Sequence, residues 1–171
     1  MEARGFALTP HAGRSSNFHV EDKTAIITGA GSGIGRAIAR RFAASGARVL
    51  LLDIDCPQAE AVAREIAEAG GLASAWECDV SCQEHVKAIF ARIFREGRVH
   101  ILVNNAGIAH VGKLEGTTEA DFDRVFGVNV KGFYNCMLAA VEHMKSHSGG
   151  VILNLASIAA WAGLATALLI R

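Results

Sequence analysis

Residues 28 to 35 read Thr-Gly-Ala-Gly-Ser-Gly-Ile-Gly. Glycines at 29, 31, 33 and 35 let a backbone turn tightly and approach a pyrophosphate with no Cβ in the way. An apolar run precedes this turn, and a helical pattern starts at Ile34. The turn therefore sits at a helix N-terminus, where free N–H groups and a positive dipole end suit a phosphate. Asp53 lies 18 residues beyond Gly35, at the end of the next apolar run. A carboxylate there accepts hydrogen bonds from two ribose hydroxyls and repels a 2′-phosphate. No Arg or Lys falls inside the loop, and Ser32 stands just before Gly33, where a basic residue would greet that phosphate. The expected ligand is NAD rather than NADP. Asp55 is the rival for the ribose, and is otherwise a solvated turn residue.

The elements that must hold these residues alternate in type. Thr24–Gly29, rich in apolar and β-branched residues, predicts a buried parallel strand. Ile34, Ile38 and Phe42 then recur at helical spacing before a glycine stop at Gly46. Arg48–Asp55 reads as a second strand, and Val62 with Ile66 as a helix ending near Gly70 and Gly71. Leu72–Val80 predicts a third strand. Ser81 and Glu84 have capping-box spacing, and Val86, Ile89, Phe90 and Ile93 form one face of the following helix. His100–Gly107 reads as a fourth strand and polar turn, Thr118 with Asp121 opens a long helix to about Met144, and Gly150–Ser157 is a fifth, buried strand. The expected fold class is α/β: a doubly wound, Rossmann-like parallel sheet of about five strands, with its crevice at the carboxyl ends.

Composition narrows the function classes. The 17 basic and 17 acidic residues cancel, so no global field favours nucleic acid or an anionic membrane. Cys56, Cys78, Cys82 and Cys136 show no paired spacing, which points to reduced thiols and a cytoplasmic location. Residues 1–16 contain no apolar core for a signal peptide and read as a flexible tail. Residues 17–171 form the expected dinucleotide-binding domain. His143 and His147 are one helical turn apart, but no third ligand accompanies them. No metal site is expected, and both read as surface histidines easing a helix C-terminus. His110 reads as an exposed loop residue.

Taken together, these motifs resemble the short-chain dehydrogenase/reductase family. Thr28, Gly29, Gly33 and Gly35 match its Thr-Gly-x-x-x-Gly-x-Gly loop, with Ser32 and Ile34 between them. Asp79, followed by Val80, looks like its adenine-contacting Asp. Asn104, Asn105, Ala106 and Gly107 match the turn that steadies its sheet and lines the cofactor site. Asn129 and Ser157 fall where it keeps a catalytic Asn and a catalytic Ser. The resemblance implies hydride transfer between NAD(H) and a small alcohol or ketone, and a homo-oligomer for the full-length form. Such a reaction needs a proton donor or acceptor at the substrate oxygen and a group that holds that oxygen.

The family supplies the proton through Tyr-x-x-x-Lys, where the Lys brings a phenol with a free pKa of about 10 toward neutrality. The resemblance places that tyrosine at Leu168, Leu169, Ile170 or Arg171, and none is tyrosine. Tyr134, the only tyrosine, is followed four residues on by Leu138 rather than Lys. The first reading is therefore an oxidoreductase truncated at its C-terminus, this chain being inactive alone and its fifth strand left as an exposed apolar edge. A second is a non-catalytic NAD-binding module or regulator. A third takes the uncharged run from Val151 to Ile170 as a C-terminal membrane anchor, although no membrane association is expected.

Overall fold

The computed structural model describes residues 20–157. The tail at 1–16 and the segment 158–171, which holds the positions counted for the missing tyrosine and most of the candidate anchor, lie outside the described residues.

Among the described residues, five strands form one parallel sheet: β1 (Thr24–Thr28), β2 (Arg48–Asp53), β3 (Leu72–Glu77), β4 (Ile101–Asn104) and β5 (Val151–Asn154). Their spatial order is β3-β2-β1-β4-β5. The helices between them are α1 (Gly33–Ala44), α2 (Cys56–Glu68), α3 (Gln83–Arg95), α4 (Glu119–Phe126) and α5 (Gly132–Ser146). Chain direction across the sheet reverses between β1 and β4, so the turns after these strands part and leave a crevice. The doubly wound α/β expectation is met.

The apolar runs make strands because both faces of the sheet are covered. Ile27, Val49, Leu51 and Val103 pack against Ala39 and Ala43 of α1 and Val62 and Ile66 of α2. Alternate residues Ile26, Leu50, Leu52 and Leu102 meet Val86, Ile89, Phe90 and Ile93 of α3 and Cys136, Ala140 and Met144 of α5. The helical face expected on α3 is thus the buried one.

Several local expectations change. The N-cap of α3 is Cys82, with no side-chain cap bond, so Ser81 and Glu84 form no capping box. Ser81 instead turns back, donating its N–H and hydroxyl to Asp79 Oδ1 at 2.9 and 2.7 Å. Glu84 pairs with Lys87 at 2.8 Å. Thr118 and Asp121 do form a capping box at the start of α4. The helix they open is not uniform, because Gly127–Lys131 widens into π-helical turns before α5 begins. β5 is not buried: Val151 is 61% and Leu153 49% exposed, since among the described residues the strand pairs with β4 alone, at the sheet edge. Its pairing also takes the first four residues of the uncharged run into the sheet. No helix among the described residues is long and apolar enough to cross a membrane.

The histidines differ as well. His143 stacks on Phe94, with ring centroids 3.9 Å apart, and its Nε2 accepts the Val99 N–H at 3.2 Å. It is a packed acceptor rather than a surface group. His147 does serve the helix end, its Nδ1–H donating to the His143 carbonyl at 2.8 Å. His110 is only 17% exposed and lies 3.6 Å from Asp121. No group of His, Cys, Asp and Glu able to hold a metal occurs among the described residues.

Candidate functional site

The crevice at the switch between β1 and β4 is a cleft of about 480 Å³, within the range of small-ligand sites. Gly29, Ser32, Gly33 and Ile34 of the glycine loop line it, and Asp53 with Ile54 forms the wall after β2. Asp79 and Val80 lie on the wall after β3, and Asn105, Ala106 and Gly107 on the wall after β4.

The glycine loop owes its shape to two anchors. Gly29 and Gly33 have φ of +62° and +52°, in the left-handed region that a side chain disfavours. The Gly31 N–H donates to Asp53 Oδ2 at 2.8 Å, in a space where a Cβ would lie 3.0 Å from that oxygen. Asp53 Oδ1 accepts the Asp55 N–H at 3.0 Å. Each oxygen of Asp53 therefore takes one backbone donor and keeps a lone pair for another. Asp55 does not compete for the cleft. Its carboxylate caps α2, accepting from the Gln58 N–H at 3.1 Å and from Gln58 Nε2 at 2.6 Å. Arg36, a possible 2′-phosphate ligand, is engaged with Glu65 at 2.7 Å.

The second anchor is Thr28, which is fully buried. Its hydroxyl accepts the N–H groups of Asn105 and Ala106, each at 3.0 Å, and faces the Val103 carbonyl at 3.4 Å. Asn105 answers by donating Nδ2 to the carbonyls of Thr28 and Gly29 at 2.9 and 3.0 Å. These bonds lace the glycine loop to the turn after β4. Gly35 serves the same junction, where α1 crosses so close that a Cβ would lie 2.5 Å from Asn105 Nδ2. Neither Thr28 nor Gly35 lines the cleft.

A dinucleotide phosphate fits this arrangement on three counts. The N-cap Ser32 makes no side-chain bond to the first turn of α1, and that turn holds no acidic residue. The N–H groups at the positive end of a 12-residue helix thus open into the cleft. Gly33 has nothing within 4 Å of where a Cβ would be, which leaves the approach clear.

Asn129 and Ser157 stand apart from the cleft walls. Asn129 is buried within the π-helical turns; its Nδ2 donates to the Ile108 carbonyl at 2.8 Å and its Oδ1 accepts the Ile108 N–H at 2.8 Å. That two-way bond pins the segment after Gly107, of which Ile108 lines the cleft. Ser157 lies three residues beyond β5 and is partly buried. Asn104 is fully buried; its Nδ2 donates to Asn154 Oδ1 at 2.8 Å, tying β4 to β5, while its own Oδ1 has no partner among the described residues. Tyr134 is 53% exposed on α5 and does not line the cleft.

Sequence reasoning missed Ile54, Cys78, Ser81, Ile108, Arg124 and Val128 as lining residues. Ile54, Ser81 and Ile108 are close neighbours of predicted positions, and that adjacency was the available signal. Cys78 is a neutral wall: burial, then the Asp79 charge and Cys82, push its thiol up to about 12. Arg124 and Val128 come from α4 and the π-helical turns, and no local motif marks them.

Comparison with known proteins agrees with this fold. A family model described as short chain dehydrogenase matches residues 23–168. The 7α-hydroxysteroid dehydrogenase of Escherichia coli (strain K12) is 41% identical over 148 residues, which is 85% of this chain and 57% of that protein. The chain thus spans little more than half the length of that relative. A solved 7α-hydroxysteroid dehydrogenase, complexed with NADH and 7-oxo glycochenodeoxycholic acid, superposes with a TM-score of 0.83 at 38% identity, covering 91% of this chain and 61% of that one. A metagenomic short-chain oxidoreductase in complex with NADP gives 0.82 at 35% identity, over 86% of this chain and 68% of that one.

Proposed function

The chain belongs to the short-chain dehydrogenase family, and from that premise we propose that it binds NAD(H) as part of an oxidoreductase acting on a small alcohol or ketone. The observation that carries the reading is the convergence of Asp53, the glycine loop and the open end of α1 on one cleft. When bound, the nicotinamide supplies the hydride chemistry. The chain's own residues bind and orient. N–H groups at the start of α1 meet the pyrophosphate, Asp53 accepts the ribose hydroxyls, and Asp79 with Val80 walls the adenine. Asn129 holds the segment around Ile108 that borders the cleft. Ser157 is assigned the substrate oxygen. Tyr134 is not the proton donor of this reading, because it is half-exposed on α5 and Leu138, not Lys, stands four residues on.

NAD is preferred over NADP because a 2′-phosphate would face the Asp53 carboxylate, while the nearby Arg36 is paired with Glu65. Titration of the chain with NADH, followed by nicotinamide fluorescence, tests the assignment. Saturable binding is expected, at least about tenfold tighter for NADH than for NADPH, a difference of ~1.4 kcal/mol. Absence of binding at millimolar cofactor would refute it. Asp53→Ala should narrow the preference by removing the repulsion.

Two coarser assignments accompany this reading. The four cysteines are free thiols, which suits a reducing, cytoplasmic compartment. Phe122, Phe126, Val130, Tyr134 and Leu138 form an exposed stripe at four-residue spacing along α4, the π-helical turns and α5. We assign it to a second copy of the chain, to be tested by concentration-dependent sedimentation.

A further inference from the structure

Asn135 has no place in the motifs that identify the site. It sits in the apolar stretch Phe133–Ala140 of α5 and is 1% exposed. An amide buried among apolar side chains is costly unless its donors and acceptor find partners. All of its bonds reach one place. Nδ2 donates to the Val80 carbonyl at 2.9 Å and toward the Ser81 carbonyl at 3.4 Å, while Oδ1 accepts from Gln83 Nε2 at 3.3 Å. One turn earlier, Gly132 lets α5 lie against Val80, since a Cβ there would come within 2.8 Å of Val80 Cγ2.

The segment gripped in this way is the turn from β3 to α3, where Asp79, Val80 and Ser81 line the cleft. Within it, Asp79 Oδ1 takes two bonds from Ser81, and the Asp79 N–H donates to His85 Nδ1 at 3.3 Å. Those bonds fix Asp79 relative to its own turn, and the Asn135 amide fixes the turn relative to α5. We propose that Asn135 is a positioning residue for cofactor binding: its amide holds the Asp79–Ser81 turn in the conformation that forms the adenine wall. The inference rests on the cofactor reading above and names the residue that sets one side of that site.

The test is binding of ADP-ribose, which carries the adenosine and pyrophosphate without the nicotinamide. Asn135→Asp keeps the side-chain volume and replaces the donor with a carboxylate facing two carbonyls. Calorimetric titration of wild type and N135D is run at a temperature where circular dichroism shows both folded. Roughly tenfold weaker binding in N135D is expected. A residue that only stabilises the fold would lower the thermal midpoint and leave the affinity of the folded variant unchanged, and that result would overturn the inference. Gln83→Met provides a second arm if N135D does not fold. It removes the donor to Asn135 Oδ1, and roughly threefold weakening is expected, with an unchanged affinity again counting against the inference. A wild-type chain that fails to bind ADP-ribose refutes the cofactor reading itself; wild-type binding with unaltered variants refutes the positioning role alone.

Discussion

Replacing Thr28 by Val separates two ways in which a residue of a cofactor-site motif can matter. The two side chains have nearly the same shape, so T28V leaves no cavity, and what it removes is the hydroxyl. That oxygen accepts the N–H groups of Asn105 and Ala106, both at 3.0 Å, in a position with no exposure to water. Valine leaves two donors without their acceptor, and each buried unsatisfied donor costs about 1–3 kcal/mol. The expected loss is therefore roughly 2–6 kcal/mol, a large part of the ~5–15 kcal/mol by which such domains are stable. Thr28→Ser keeps the oxygen and loses one methyl group, at a cost of roughly 1 kcal/mol. Urea unfolding followed by circular dichroism measures both variants, with the slope m checking that the transition is unchanged in kind. A T28V protein as stable as T28S would refute the reasoning. It would mean that the two N–H groups find water or another acceptor, so that Thr28 does not hold the glycine loop to the turn after β4.

The glycine at position 35 gives a case where two effects oppose each other. Ala is favoured over Gly inside a helix by about 1 kcal/mol, yet its Cβ would overlap the Gly29 carbonyl oxygen and Asn105 Nδ2. The clash involves backbone, so G35A should be destabilised by about 1–3 kcal/mol and lose NADH affinity; a stabilised variant with normal binding would contradict the packing. Acid sensitivity should come partly from two histidines. His100 Nδ1 accepts the Thr24 N–H at 3.0 Å and His143 Nε2 accepts that of Val99. Burial lowers both pKa values, followed by Arg98 and Lys23 for His100 and by His147 and Arg98 for His143. Between those lowered values and the unfolded value of about 6.5, the unfolded chain binds more protons, so stability falls as pH drops through that window. The urea midpoint should decline as pH falls below about 6.5, and less steeply in His100→Gln/His143→Gln. Equal slopes would remove the histidines from the explanation.

The sequence by itself determined the layered architecture, because strand and helix periodicities are local and both faces of the sheet demand apolar residues. It also placed the glycine loop, Asp53, Asp79 and the Asn105–Gly107 turn, since each ends or closely follows a strand at the carboxyl edge of the sheet. Only the tertiary structure decided how those residues divide the work. The sequence favoured Asp53 but left Asp55 as its rival; in the fold one faces the glycine loop and the other caps a helix, which depends on where Gly31 and Gln58 lie in space. Ser81 has the spacing of a cap, but a neighbouring carboxylate claims its hydroxyl at 2.7 Å. Thr28 matches a cofactor motif and acts through bonds to residues 77 and 78 positions away. Asn135 bonds a turn 54 and 55 residues back. Hydrogen bonds of that range have no periodicity or spacing to announce them. They exist because a buried polar atom must be paired by whatever the fold brings beside it.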